Sequence, residues 1–296
     1  MHILYYGVFD GKDWRSEYPM LTALEGLRDS ADTVNYRSRL PGTIRRGWKR
    51  YGAKAELVFV QNGIPMSPRW PGLWADKPYL LFASEFGLEE HLPLLTAPRR
   101  PDFVIAHAER TVAFCREQGL AVERLPNAFN PAFYHALELP YRYDVMFIGG
   151  MTPRREKLLG QLREKYGERF YLGKNWDPRE VNKLYNQARI VFHVHAKEER
   201  YLPTRLFEVL PTRAVFVSES FGANVHPLVA PRGYVSYDTL DEAITTVDRL
   251  LANESERLEV LTQAHAEAPN HTWAARMHRF SACFEQAITQ FQARRG

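Results

Sequence analysis

Short apolar runs, separated by longer stretches with helical spacing, organise this chain. Residues 2–6, 56–60, 79–83, 103–106 and 122–125 are runs of strand length. Between them, residues 19–28 and 109–118 place apolar side chains at the three-to-four spacing of an amphipathic helix. The pattern then breaks. Pro126, Pro131 and Pro140 punctuate residues 125–141, where no period survives. It resumes with strand candidates at 144–148, 169–172, 190–195 and 214–218. Helices are expected at 154–166, 178–187, 204–210, 240–251 and 255–266, with a long final one at 273–294. Strands alternating with helices predict parallel sheets covered on both faces. The chain is therefore expected to be α/β, with two Rossmann-like domains, 1–140 and 141–296, facing each other across a cleft. The last helix is free to pack back on the first domain.

Composition supports a globular reading. Of 296 residues, 45% are apolar, 25% charged and 13% aromatic. Cys115 and Cys283 are the only cysteines, too few for a metal pattern or a disulfide framework. They read as thiols of a reducing compartment. The N-terminus lacks the basic start and apolar run of a secretion signal. No run reaches the roughly 18 apolar residues of a membrane span. These features predict a cytoplasmic protein, with peripheral attachment to a membrane or nucleic acid left open.

Two segments of the second half carry candidate chemistry. In YDVMFIGGMTPRRE a strand runs into Gly149 and Gly150 and then into a helix headed by Pro153. Glycines admit a close backbone approach, and a helix N-terminus favours a phosphate. Arg154 and Arg155 add bidentate cations there. No P-loop pattern occurs, which argues against a Walker-type hydrolase. In NQARIVFHVHAKEERYLPTRLFEVLPTRAVFVSE, His193 and His195 alternate at a strand end, where open α/β sheets bind ligands. Arg205 and Glu208 follow at i, i+3 on one helical face. A carboxylate there can accept both hydroxyls of a ribose, and an arginine can meet a diphosphate; an ordinary helical ion pair is the alternative. Nothing nearby completes a metal set with the histidines, so no metal site and no cofactor are expected.

Residues 144–280 resemble the C-terminal domain of the CgeB-type glycosyltransferases, relatives of the retaining family of GT-B fold. The anchors are DVMFIGGMTPRRE, LYNQARIVFHVH, RLFEVL, VSYDTLDEAI and HTWAARMHRF. In the first half only VIAHAERTVAFCREQG and LPNAFNPAFY match. The resemblance implies GT-B architecture, a nucleotide-sugar donor in the second domain, an acceptor in the first and no required metal. It assigns Glu208 to the donor ribose. Arg205 and Arg154 or Arg155 go to the diphosphate, and Gly149 and Gly150 to the glycine turn. The sequence departs from the pattern at Arg200, where the family has its upstream glutamate, and at Ala128 and Asn130 in the junction. Retention of configuration is the family's outcome. Inversion would need a base, for which Asp10 and Glu85, each just past a strand, are the candidates; turn or capping carboxylates are the plainer reading of both. A non-catalytic nucleotide-sugar or polyanion-binding protein of the same fold is the alternative function.

Charge is nearly balanced overall, at +4, but not locally. The stretch RSRLPGTIRRGWKRYGAK holds seven cations (Arg37, Arg39, Arg45, Arg46, Lys49, Arg50 and Lys54) and no carboxylate. Trp48 and Tyr51 are interleaved, free for stacking or interfacial contact if exposed. A solvated face is one reading. The other assigns Arg45, Arg46, Lys49 and Arg50 to an anionic acceptor, such as DNA bearing hydroxymethylated bases or a membrane-associated glycan.

Overall fold

The computed structural model describes residues 1–27, 29–38, 40, 42–64, 66–175, 177–222, 225–229 and 232–296. They form two compact units. Unit 1 is Met1–Asn127 with Trp273–Gly296, and unit 2 is Ala128–Thr272.

Unit 1 is built on a parallel sheet of β1 (His2–Gly7), β2 (Ser30–Asn35), β3 (Leu57–Gln61), β4 (Tyr79–Ala83), β5 (Phe103–Ala106) and β6 (Val122–Arg124). Their spatial order is β2-β1-β3-β4-β5-β6. Strands β3, β4 and β5 are buried at every position, as expected of parallel strands covered on both faces. The helices are α1 (Glu17–Gly26), α2 (Thr43–Tyr51), α3 (Leu92–Leu95) and α4 (Glu109–Glu117). Unit 2 repeats the plan with β7 (Tyr143–Ile148), β8 (Phe170–Gly173), β9 (Ala188–His193), β10 (Val215–Glu219) and β11 (Tyr234–Tyr237), in the order β11-β10-β9-β7-β8. Its helices are α5 (Pro153–Tyr166), α6 (Pro178–Asn186), α7 (Thr204–Val209), α8 (Leu240–Ala252) and α9 (Glu254–Glu267). In both sheets the strand order reverses beside the unit's first strand, at β1/β3 and at β7/β9. Doubly wound sheets bind ligands at the carboxyl ends of strands at such a reversal.

The final helix, α10 (Trp273–Arg295), belongs to unit 1. Trp273, Met277, Phe280, Phe284, Ala287 and Phe291 recur at three-to-four spacing and are all buried. Phe280 meets Phe82 edge-on at 4.9 Å, and Phe284 meets Phe59 at 5.5 Å. Each such ring contributes about 1.5–3 kcal/mol by burial, so α10 is a structural wall of unit 1. The units divide at Asn127, earlier than the Pro140 boundary expected from proline spacing, because residues 129–142 are tied into unit 2. There His135 N–H donates to Asn182 Oδ1, Leu137 N–H to Asn186 Oδ1 and Arg142 N–H to the Gln187 carbonyl.

Two strands escaped the apolar pattern, β2 and β11. Edge strand β2 (SADTVN) buries only Val34, and β11 (YVSY) only Tyr237. Both cysteines are free and buried; burial pushes the Cys115 thiol up to about 12, so neither is expected to react readily with alkylating agents. Among the described residues, no helix is long and apolar enough to cross a membrane.

Candidate functional site

In unit 2 the candidate residues converge on the carboxyl ends of β7 and β9. Gly149 N–H bonds the Gly173 carbonyl at 2.9 Å. A Cβ on Gly149 would come within 3.1 Å of the Phe147 ring and 3.3 Å of Arg205 Nη2. The glycine thus makes room for an arginine of the site. Gly150 has open space instead, and its carbonyl accepts from Arg155 Nη1 at 2.8 Å.

The two arginines of the glycine turn have different tasks. Thr152 caps α5, accepting from Arg155 N–H, and Pro153 occupies the first turn, where its missing N–H costs nothing. Arg155 is buried, and its Nε and Nη1 donate to the Val194 and Gly150 carbonyls. It locks the turn to the end of β9, so those two nitrogens are not turned toward a diphosphate. Arg154 forms a two-pronged ion pair with Glu219 and also donates to the His195 carbonyl at 3.0 Å. Glu219 ends β10, is 6% exposed, and also accepts the His195 N–H at 3.1 Å. Its signal in the sequence was a lone carboxylate closing the apolar run VFVSE.

Strand β9 stops at His193, so His195 lies just beyond it and not within the strand as the pattern suggested. The two imidazoles meet edge-on at 5.2 Å, and Tyr201 covers His195 at 4.5 Å. Burial, then the cations of Arg205 and Arg155 and the neighbouring His195, holds the His193 imidazole well below its usual range. It is neutral near pH 7. Its Nδ1 accepts from Arg205 Nη1 at 3.0 Å, which assigns the proton to Nε2. His193 Nε2 and His195 Nδ1 are buried nitrogens with no hydrogen-bond partner among the described residues.

Arg205 and Glu208 share α7 but turn to different partners. Arg205 Nε donates to the Tyr185 hydroxyl at 3.2 Å, while Glu208 lies against the Tyr134 hydroxyl. The alternative of a simple helical ion pair is therefore not what forms. Burial pushes the Glu208 carboxyl above its usual range, against the opposing pull of Arg205 and Tyr134. Tyr134 reaches this position because Asn130 opens a turn, accepting from Ala132 N–H through Oδ1 and from Tyr134 N–H through its carbonyl. Neither Tyr134 nor Tyr185 stood out in the sequence. Arg200 is ion-paired with Asp238. Among the described residues, no cluster of histidine, cysteine, aspartate or glutamate could hold a metal ion.

In unit 1 the two base candidates differ. Asp10 is clamped by Arg15 at 3.0 Å and accepts from Lys12 N–H. Burial alone would raise it, but these contacts hold it below the carboxylate range, as a turn carboxylate and a weak base. Glu85 follows β4. Desolvation pushes it up, Glu90 and Glu17 add to that, and Arg37 opposes. Asn62 braces it: Oδ1 accepts from Ser84 N–H and Oγ at 2.9 and 2.8 Å, and Nδ2 points at Glu85 Oε1 at 3.5 Å. Asn62 does this from a left-handed backbone (φ 58°), which asparagine tolerates better than most residues. Glu17, which no local pattern marks in the sequence, is a carboxylate only 5% exposed that accepts from Val8 N–H at the β1/β3 reversal.

Beneath these strand ends lies His91, fully buried. Burial pushes its imidazole down to about 4, against the main chain of Glu85 and Asn62. In the unfolded chain it titrates near 6.5, so as pH falls the unfolded state binds the proton first. His91 should therefore leave stability intact above pH 6.5 and remove up to about 3 kcal/mol between pH 6.5 and 4. Urea unfolding across that range checks this. His91→Leu should flatten the slope, and an unchanged slope would refute the assignment.

The basic stretch places Arg45, Arg46, Lys49 and Arg50 exposed on α2. Ile44 and Gly47 face inward, where a Cβ on Gly47 would strike Val34. Arg37 donates to the Ile64 carbonyl and Lys54 pairs with Asp32 at 2.6 Å. Arg39 lies outside the described residues. The aromatic rings are not free for stacking: Trp48 packs on Trp74 at 6.3 Å, and Arg50 and Lys54 lie over the Tyr51 ring at 5.0 and 5.4 Å. Tryptophan and tyrosine here serve the core and the local charge, because α2 must bury one face against the sheet.

Residues 154–282 match the family described as glycosyl transferase-like. None of the curated proteins matches this chain in sequence. Among solved structures, the chain is similar to sucrose-phosphate synthase from Thermosynechococcus elongatus, with TM-score 0.65, 11% identity, and 95% of this chain and 98% of that one covered. It is also similar to Anabaena Alr3699/HepE in complex with UDP-glucose, with TM-score 0.62, 12% identity, and coverage of 95% and 99%. T4 phage BGT in complex with its UDP-glucose substrate gives TM-score 0.60, 11% identity, and coverage of 97% and 99%. At these identities the structures speak for the fold alone, while the family match is confined to residues 154–282, the stretch that carries Arg205 and Glu208. The chain has the GT-B fold of these structures, and its residues 154–282 match the glycosyl transferase-like family.

Proposed function

We propose that the protein transfers a sugar from a nucleoside diphosphate sugar, a uridine diphosphate sugar foremost, to a hydroxyl of an anionic acceptor. The observation that carries this is the convergence at β7/β9: Glu208 and Arg205 on α7, beside two buried imidazole nitrogens that no group among the described residues satisfies. Buried nitrogens without partners call for a polar ligand. Glu208 accepts from the ribose hydroxyls. Arg205, backed by Tyr185, neutralises the diphosphate. The UDP-glucose complexes of Alr3699/HepE and BGT support uridine as the base.

In the reaction the acceptor oxygen bonds to the anomeric carbon while the bond from that carbon to the diphosphate oxygen breaks, its electron pair leaving with the diphosphate. Arg205 offsets that charge in a desolvated setting, where one such donor contributes roughly 3–4 kcal/mol. Retention, favoured by the resemblance of the second unit, delivers the acceptor proton to the departing diphosphate. The raised Glu85 favours a second reading, inversion with Glu85 as base; the anomeric configuration of the product distinguishes the two. Transfer is proposed to need no divalent cation, although T4 phage BGT has also been solved with UDP and Mn²⁺.

Thermal shift against nucleoside diphosphates and their sugars tests the donor. A ligand at about 100-fold over its Kd should stabilise the fold by about 2.7 kcal/mol. Uridine diphosphate should give that shift with EDTA present. A panel without any shift overturns the donor assignment, and a shift that EDTA abolishes and Mn²⁺ restores overturns metal independence.

A further inference from the structure

Unit 1 holds an open pocket of about 730 Å³ where α2 lies beside edge strand β2. Arg46, Lys49 and Arg50 line one side, with Thr33 and Asn35 of β2 and Phe9 of the loop after β1. Among the described residues, no carboxylate lines it. We infer that this pocket is the subsite for a phosphate group on a small soluble acceptor, the three cations taking the phosphate and the Thr33–Asn35 edge the polar remainder. This rests on the proposed transferase function, and it narrows the acceptor from polyanions in general to a phosphorylated small molecule.

Three observations favour this occupant. The volume falls within the roughly 300–1,000 Å³ of small-molecule sites. A nucleic-acid track would call for rings on which bases stack, but Trp48 is packed on Trp74 and Tyr51 lies under Arg50 and Lys54. A membrane surface would call for an apolar face beside the charge. Among the described residues of unit 1, Leu40, at 68%, is the single large apolar side chain that is strongly exposed. The rings that line the concavity are engaged within the protein, Phe9 edge-on to Tyr5 and Tyr18 and Tyr51 under Arg50 and Lys54, and Leu40 is a single apolar side chain at its rim, so the gathered cations suit a compact anion. Arginine brings a planar fork that matches phosphate oxygens, and lysine a point charge.

The test uses inorganic pyrophosphate as the probe, titrated by calorimetry with the second unit's nucleotide site saturated by uridine diphosphate. The parent protein should bind pyrophosphate, with affinity falling as salt rises. The triple variant Arg46→Glu, Lys49→Glu, Arg50→Glu should lose at least about 30-fold, as expected when three charge-assisted contacts are reversed. Its circular dichroism and uridine diphosphate affinity should stay within twofold of the parent's. Arg46→Gln alone, the milder change, should weaken pyrophosphate by a smaller factor. Equal pyrophosphate affinity in parent and triple variant overturns the inference. So does a parent that ignores pyrophosphate but binds a 20-base-pair duplex, or vesicles of phosphatidic acid over phosphatidylcholine, in a manner the triple variant loses. Failure of uridine diphosphate to bind would instead strike the donor assignment, leaving the pyrophosphate result to be read without it.

Discussion

Glu208→Ala should bind uridine diphosphate at least tenfold more weakly than the parent while keeping its fold. Glu208 is held on α7 against Tyr134, and a carboxylate there can accept two hydroxyl hydrogens at once. Hydrogen bonds to a charged group contribute roughly 1.5–3 kcal/mol, and each 1.4 kcal/mol is a factor of ten in affinity. The loss should fall on ligands that carry the ribose diol and spare inorganic pyrophosphate, which has none. Because burial raises the Glu208 carboxyl, its binding role should fade at a higher pH than an ordinary carboxylate would. Below that raised value it is protonated and accepts less well; above it, it is fully competent. Nucleotide affinity in the parent should therefore drop in weak acid, and Glu208→Gln should remove that dependence. Calorimetric titration at several pH values reads both effects. Unchanged affinity in Glu208→Ala would dissociate the residue from the nucleotide.

Glu219→Ala should cost about 3 kcal/mol of stability. Its carboxylate takes both terminal nitrogens of Arg154 and the His195 N–H, and so ties the ends of β9 and β10 to the start of α5. Removing one partner of a buried ion pair leaves the other charge uncompensated, which costs roughly 3–5 kcal/mol when burial is complete. Here the Arg154 side chain is 27% exposed and Glu219 only 8%, which places the expectation at the lower end. Urea unfolding should show a lower midpoint at an unchanged m-value. Arg154→Met combined with Glu219→Ala should cost less than the sum of the single changes, since both remove the same pair. A loss under about 1 kcal/mol in Glu219→Ala would rank the pair with ordinary surface bridges.

Parts of this architecture are written plainly in the chain. Strands Tyr79–Ala83 and Phe103–Ala106 fall where their apolar runs begin and end, because a parallel strand covered on both faces is continuously apolar and polar or proline residues bound it. Helix α5 follows from Thr152 and Pro153, a local cap and a pre-set first turn. The i, i+3 spacing of Arg205 and Glu208 places them on one face of α7, since helical geometry depends only on neighbours in sequence. Other features have no local signature. Edge strand β2 is polar because water covers its outer side. Tyr134 and Tyr185 reach α7 from distant segments, and Glu219 meets Arg154 across two strands. The same reasoning explains Arg155, which by spacing alone looked like a second phosphate ligand and in the fold fastens two carbonyls. Periods of two and 3.6 residues are set by the backbone and can be read anywhere along the chain. Which side chains become partners depends on the order of strands in the sheet and on what each buried polar group finds within reach, and that exists only once the chain has folded.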